Sequence, residues 1–140
     1  MIRFAAAAAL LLSAAPALAQ DDSRIVLTFE TGARTGMVMV ALYNSASSFD
    51  GGSGQPTAVA AVRASGRAVE AVFENLPAGD YGVKAFHDID GDGEMDTNPF
   101  GMPTEPFAFS NNAVGNMGPA RWDRARFTVS GETAQTISLR

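Results

Sequence analysis

Five acidic side chains fall within nine residues of this sequence, and their spacing is that of a cation-binding loop. Asp88, Asp90 and Asp92 alternate and are followed by Gly93, with no lysine or arginine among them. Aspartate at the first, third and fifth positions with glycine at the sixth is the arrangement of a calcium loop, in which short carboxylates point inward and glycine takes the sharp turn. The segment therefore predicts a site for a hard divalent ion.

The rest of the loop supplies further ligands but lacks one. Glu94 at the seventh position is expected to give only its backbone carbonyl, while Asp96 at the ninth could bind the ion directly or through water. The helix-loop-helix form of this site needs a bidentate glutamate at the twelfth position, where this chain has Pro99. We therefore predict a calcium loop in a non-helical framework, with Glu105 as a distant carboxylate ligand. A salt-bridged or solvated Glu105 is the alternative.

The candidate ligands are all oxygen atoms, which favours calcium over zinc or copper. The sequence has no cysteine and a single histidine, His87, which is expected to be a strand-end residue because a hard ion has little use for imidazole. The alternative interpretation is a solvated acidic turn, since aspartate and glycine are also ordinary turn formers. The predicted metal ligands are Asp88, Asp90, Asp92, Glu94, Asp96 and Glu105.

The first residues have the pattern of a secretion signal. A short apolar run follows Arg3 and ends at the A-x-A cleavage site Ala17–Ala19. This run is too short to span a bilayer. We predict a signal peptide at residues 1–19, a single domain at residues 20–140, and a periplasmic or secreted protein.

The composition excludes several classes of partner. The formal net charge is −5 and Lys84 is the only lysine, so the chain has no cluster of positive charge for a nucleic-acid backbone. Without cysteine, no disulfide stabilises an exported fold, and a loop-closing metal could take that role. Beyond the leader no apolar stretch approaches twenty residues, so the mature chain is predicted to have no membrane span.

Period-two patterns predict strands throughout the chain. Arg24–Glu30 alternates apolar and polar residues and is followed by turn residues at Thr31–Gly32 and Gly36. Met37–Tyr43 is apolar on both faces, as expected of a central strand. Asn44–Gln55, rich in serine and glycine, is expected to be a flexible surface loop. Further strands are predicted at 57–64, 68–74, 81–86, 125–129 and 134–139. The pattern predicts an all-β fold, an immunoglobulin-like or transthyretin-like β-sandwich of about seven strands.

The segment from Thr97 to Asp123 shows no clear strand or helix period. Connections of this length inside compact domains are uncommon and are usually functional or disordered. Its aromatic residues and specific turn chemistry predict an ordered loop that is pinned to the metal site and to the sheet. The predicted apolar anchors are Phe100, Phe107, Phe109 and Trp122. Asn111–Asn112 are interpreted as turn residues, with a polar contact site as the alternative.

Two segments resemble known proteins. Phe73–Tyr81, with the pattern F-x-x-L-P-x-G-x-Y, resembles the corner of transthyretin-like and carboxypeptidase-regulatory β-sandwich modules, where the leucine caps the core and the tyrosine packs at the crossover. Tyr81–Phe127, with Y-x-V-x-x-F-H-D-x-D-x-D-G-x-x-D-T-N, G-x-P-T-E and F-S-N-N-A, resembles a family of exported bacterial proteins catalogued only as a domain of unknown function. The second resemblance implies a β-sandwich and export, and it implies no established activity.

Two classes of function stay open at this point. One is a non-enzymatic module in which calcium orders the long loop, and a loop or sheet face binds a protein or glycan of the cell envelope. A carbohydrate-binding module with structural calcium, using loop aromatics such as Trp122, is one form of it. The other is a metal-assisted envelope hydrolase, for which His87 would be the only base that titrates near neutral pH. Because the chain lacks a cysteine nucleophile and a G-x-S-x-G motif, we predict no enzyme.

Overall fold

The protein, described by a computed structural model, is a β-sandwich of eight strands in two sheets. The structure describes residues 22–51 and 54–140. The predicted signal peptide at residues 1–19 lies outside the described residues. The predicted all-β sandwich is confirmed, with one strand more than the approximate seven expected from the sequence.

The smaller sheet has three strands in the order β4-β1-β8. These are β1 (Ser23–Arg34), β4 (Gly66–Leu76) and β8 (Glu132–Ser138). The central strand β1 pairs antiparallel with β4 and parallel with β8. The first and last strands of the described chain are therefore neighbours.

Strand β1 continues past the end that the sequence predicted. The predicted turn residues Thr31–Gly32 lie inside the strand, where the pairing with β4 shifts register between Glu30 and Arg34. Gly32 has a φ of 64° there, a left-handed conformation that glycine adopts without a steric penalty. The glycine marks an irregularity within the strand, and the prediction of a turn at this point was wrong.

The larger sheet has five strands, with β3, β2, β5 and β6 in that order and β7 paired to the other part of β5. The strands are β2 (Met37–Tyr43), β3 (Ala58–Arg63), β5 (Gly79–Asp88), β6 (Phe107–Phe109) and β7 (Phe127–Val129). Because β2 lies between β3 and β5, the central position that its doubly apolar pattern predicted is confirmed.

The main apolar core lies between the two sheets. Ile25, Leu27 and Phe29 of β1 are fully buried, as period-two alternation predicted. Tyr81 of β5 is also buried, and its hydroxyl donates to the carbonyl of Pro77 at 2.6 Å. This bond closes the F-x-x-L-P-x-G-x-Y corner in the manner of the tyrosine corner of other sandwiches.

A second apolar cluster lies on the outer face of the larger sheet, around Phe49. The short helix α1 (Ala46–Asp50) carries Phe49, which is 1% exposed and contacts the rings of Tyr43, Phe109 and Trp122 at centroid distances of 5.5–6.3 Å. The prediction of a surface loop here was therefore wrong. Helix α2 (Trp122–Ala125) supplies the other side of the cluster. Within residues 22–51 and 54–140, no helix has the length and apolarity that a membrane crossing requires.

The long connection after β5, residues 97–123, contains more regular structure than predicted. It includes β6, a 3-10 helix at Ser110–Asn112 and the start of α2. Of its predicted anchors, Phe109 is buried and Trp122 half-buried, whereas Phe107 is 37% exposed. Phe100 is 90% exposed, so its prediction as an anchor was wrong.

Candidate metal centre

The acidic loop begins where β5 ends. Asp88 is the last residue of the strand, pairs with Met37 of β2, and is 2% exposed. Its Oδ1 accepts a hydrogen bond from the backbone N–H of Gly91 and its Oδ2 from that of Gly93, each at 2.9 Å. The loop therefore folds around a buried carboxylate, and the two glycines take the positive φ angles of 77° and 80° that this turn requires.

The next two aspartates repeat a shorter version of this contact. Asp90 Oδ1 accepts from the N–H of Asp92 at 3.2 Å, and Asp92 Oδ1 accepts from the N–H of Glu94 at 2.9 Å. An aspartate that bonds the backbone two residues ahead forms an Asx turn, which fixes the direction of its carboxylate. Both aspartates are exposed to solvent.

Glu105 joins the two ends of the acidic loop. Its Oε1 accepts from the backbone N–H of Ile89 at 2.9 Å, and its Oε2 accepts from that of Asp96 at 3.2 Å. The side chain is buried, and the described part of the chain offers it no ion pair. Because each carboxylate oxygen has more than one lone pair, these contacts leave Glu105 able to bind a cation as well.

Two groups of carboxylates bring their oxygen atoms within 4.8 Å of one another. The groups are Asp88, Asp90 and Glu105, and Asp90, Asp92 and Asp96. The carboxylate of Glu94 belongs to neither group, and our prediction gave the ion only its backbone carbonyl. A donor set made entirely of oxygens, part buried and part exposed, fits a hard cation such as calcium.

The pKa values of Asp88 and Asp90 are shifted in opposite directions by their surroundings. Burial works to raise the pKa of Asp88, but the N–H groups of Gly93 and Gly91 outweigh it and hold that pKa below its ordinary value. The N–H of Asp92 lowers the pKa of Asp90, but a hydrogen bond with Asp96, desolvation and neighbouring negative charge together raise it to about 6. The surroundings of Asp90 therefore disfavour its charged form.

His87 precedes Asp88 at the end of β5. It is fully buried, and its Nε2 lies 2.5 Å from the carbonyl oxygen of Thr35, so Nε2 carries the hydrogen. Its Nδ1 has no hydrogen-bond partner among the described residues. Because successive residues of a strand face opposite sides, His87 points away from the side taken by Asp88.

Gly36 lies directly beneath the start of the loop. A Cβ atom at this position would stand 2.4 Å from the carbonyl oxygen of Asp88, and the residue has a φ of 97°. Sequence reasoning interpreted Gly36 only as a turn residue. Its close approach to Asp88 follows from the pairing of β2 with β5, which no local pattern in the sequence displays.

A family model described as an uncharacterized protein conserved in bacteria (DUF2141) matches residues 30–138. The chain belongs to this family. No curated protein and no solved structure matches the chain. The DUF2141 match spans the acidic loop, Glu105 and the whole of the long connection.

A second polar cluster in this DUF2141 chain, the S-N-N segment (Ser110–Asn112), is built differently from the acidic loop. The buried hydroxyl of Ser110 accepts from the N–H of Val83 in β5 at 2.8 Å and donates to the carbonyl of Ala125 in α2 at 2.5 Å. One side chain thus joins the sheet, the long connection and the second helix.

The two asparagines extend this junction to β8. Asn111 donates from Nδ2 to the carbonyls of Arg124 and Arg126, at 3.0 and 2.9 Å, and exchanges two hydrogen bonds with the side chain of Gln135. Asn112 contacts the backbone of β8 through both atoms of its amide. Both residues have positive φ, so their prediction as turn residues is confirmed, whereas their role as a junction was missed.

Proposed function

We propose that this protein is an exported, non-enzymatic β-sandwich module whose acidic loop binds calcium and thereby fixes the long connection. The observation that carries the proposal is the meeting of two buried carboxylates, Asp88 and Glu105, with the exposed Asp90 within 4.8 Å. Carboxylates held together away from water are costly unless a cation or a proton compensates them. A calcium ion supplies that compensation with oxygen ligands alone.

The proposed ion acts by closing the loop onto the long connection. The ligands of the D-x-D-x-D-G segment come from the end of β5, while Glu105 comes from the far side of the loop, just before β6. A cation shared between them adds a cross-link that is absent from the unfolded chain, so its binding free energy becomes folding free energy. Calcium outside the cytoplasm is concentrated enough to fill even weak sites, and export rests on the leader pattern at residues 1–19.

The environment of His87 supports a module without catalysis. A general base must reach the proton that it removes, and His87 is fully buried with its Nε2 bonded to Thr35. The partner is a protein or glycan of the cell envelope. For a glycan, Trp122 is a poor stacking surface because it packs on Phe49, which leaves Phe100 as the most exposed aromatic side chain of the described residues.

The proposal is tested by thermal melts of the exported protein with calcium, with magnesium and with chelator. A ligand present at about 100 times its Kd stabilises the native state by roughly 2.7 kcal/mol, which raises Tm by several degrees in a domain of this size. We expect this shift with calcium, a smaller one with magnesium, and none in the Asp90→Ala, Asp92→Ala double variant. Glu105→Gln, which keeps the size of the side chain, should also lose most of the shift.

The matched control is the Glu70→Ala, Glu74→Ala double variant, which removes the same charge from the exposed face of β4. Its calcium shift should equal that of the parent protein. If no divalent ion raises Tm, or if the control loses the shift as well, the calcium site is wrong and the cluster is a solvated turn.

A further inference from the structure

A large apolar cleft lies between the larger sheet and the long connection. Its floor is the outer face of the sheet, including Met39 and Ala41 of β2 and Phe86 of β5. Its outer wall comes from the long connection, including Met102 and Met117. The cleft has a volume of about 970 Å³, at the upper end of the roughly 300–1,000 Å³ typical of ligand pockets.

The lining of this cleft is adaptable as well as apolar. Four methionines contribute to it, one from the sheet, one from the acidic loop and two from the long connection; they are Met39, Met95, Met102 and Met117. Methionine is unbranched and polarizable, so a surface rich in it fits flexible apolar ligands of varied shape. Met102 and Met117 are strongly exposed, which is costly for a wall that faces only water.

Among the described residues that line the cleft, Lys84 is the only charged one. Its Nζ donates to the carbonyl of Phe49 at 2.5 Å and lies 5.1 Å from the ring centroid of Tyr43. The nearby carboxylate of Asp50 accepts a hydrogen bond from the backbone N–H of Trp122. Within the described residues, Lys84 forms no ion pair. An ammonium group has three donors, so Lys84 keeps hydrogen-bonding capacity for an anion at this end of the cleft.

We propose that the cleft binds a single linear acyl chain with an anionic head group, the chain lying along the methionines and the head group pairing with Lys84. The inference rests on the proposed function in one respect, because the connection that calcium would fix supplies the outer wall. A long-chain carboxylate has this combination of one negative charge and a flexible apolar body.

The shape of the floor favours an acyl chain over a peptide. β2 is paired on both sides by β3 and β5, and β5 is itself paired to β2, β6 and β7. The floor therefore offers side chains and no free backbone groups. A peptide placed there would lose the hydration of its own N–H and C=O groups without gaining partners, whereas an alkyl chain has none to satisfy.

The test is calorimetric titration of the exported, delipidated protein with laurate and with dodecyltrimethylammonium, below the micellar concentrations of both. The two probes have linear alkyl chains of nearly equal length and opposite charge. We expect one laurate per chain and at least about tenfold weaker binding of the cation, although the acidic protein attracts cations at long range. Binding of both probes with equal affinity, or no laurate binding, would overturn the proposal.

Paired variants locate the two ends of the ligand. Lys84→Met should weaken laurate binding by about tenfold, while Arg67→Met, which removes a charge from exposed β4, should leave it unchanged. Met102→Glu, on an exposed part of the wall, should weaken it similarly, and its control Val114→Glu, equally exposed but outside the lining, should not. If Lys84→Met fails to fold, the second pair decides. Equal effects within that pair would refute the placement of the chain.

The titration is repeated with chelator and with calcium below the precipitation limit of calcium laurate. We expect calcium to strengthen laurate binding, because it fixes the outer wall. If laurate binds but calcium does not change Tm, the proposed metal site is wrong and the proposed acyl-chain site is supported. A calcium-dependent melt without laurate binding would do the reverse.

Discussion

The acidic loop and the S-N-N segment are two polar clusters on the same stretch of chain, and they satisfy their polar groups in opposite ways. In the S-N-N segment, neutral side chains both donate and accept, and their partners belong to β5, α2 and β8. In the acidic loop the carboxylates only accept, and their partners are N–H groups of the same loop. Every side-chain oxygen and nitrogen atom of the first cluster has a hydrogen-bond partner, whereas the second cluster keeps its negative charge.

This difference separates a structural cluster from the proposed calcium site. Asn111 exchanges paired bonds with Gln135 and needs nothing from outside the protein. The pKa of Asp90 is raised to about 6, because its surroundings disfavour the charged form of this carboxyl group. A cluster that hydrogen bonds orient but do not neutralise is prepared for a cation.

The largest expected effect on stability comes from a substitution at Gly36, which lies against the start of the acidic loop. Gly36→Ala should destabilise the protein by about 3 kcal/mol, because a Cβ would meet the Asp88 carbonyl and alanine would be strained at a φ of 97°. Urea unfolding in chelator measures the loss of stability. The same experiment with calcium should show that the stabilisation by calcium has disappeared. The control, Gly32→Ala, has a positive φ but open space around it, so it should cost about 1 kcal/mol and keep the response. Equal losses in the two variants would refute a role for close approach.

A smaller effect is expected when an asparagine of the S-N-N segment is given a negative charge. Asn111→Asp should destabilise the protein by about 2 kcal/mol, because a carboxylate cannot donate to the carbonyls of Arg124 and Arg126. Unlike the loop variants, it should lose the same stability in calcium and in chelator. Asn116→Asp, on the exposed part of the connection, is the control and should be nearly neutral. A calcium-dependent loss in Asn111→Asp would remove the distinction between the clusters.

The smallest effect is the response of the acidic loop to pH. Calcium binds the deprotonated carboxylate, so its affinity should fall about tenfold between pH 7.5 and pH 5, as Asp90 takes up a proton below its pKa of about 6. In chelator the sign reverses. The folded protein binds this proton more readily than the unfolded chain, so the contribution of Asp90 to stability rises as pH falls from 7.5 towards 5. Melts at both pH values should show that, as pH falls, the Tm shift caused by calcium decreases while the contribution of Asp90 to Tm in chelator increases. Asp90→Asn is the control. If both quantities changed in the same direction, Asp90 would not be the group that binds both the proton and calcium.

The local part of the fold and of the candidate site was accessible from the sequence. Period-two alternation placed Ile25, Leu27 and Phe29 in the core, and the D-x-D-x-D-G spacing located the carboxylates that the structure brings together. These successes share a cause, because strand faces and loop ligands are set by neighbours within a few residues. Glu105 was accessible only because one expected ligand was missing from the loop.

The parts that were missed depend on contacts between distant residues. Phe49 lies in a segment of serine and glycine that has no hydrophobic periodicity. It is buried nonetheless, because it packs against Phe109 and Trp122, which lie far along the chain. Phe100 is a large apolar residue of the kind that anchors a loop. Its backbone N–H donates to the side chain of Asn98 in a turn, however, and its ring is exposed to solvent. Neither outcome follows from local propensity, since tertiary contacts decide both.

The parallel pairing of β1 with β8 sets a condition on how this chain folds. Arg24 to Glu30 align with Glu132 to Ser138, so the middle strand of the smaller sheet lacks one neighbour until the last strand is available. Until then, β1 presents an open edge that other chains could pair with. Contacts between such distant segments form slowly, because a long loop must close first. A chain that emerges from its N-terminal end would therefore complete this sheet last.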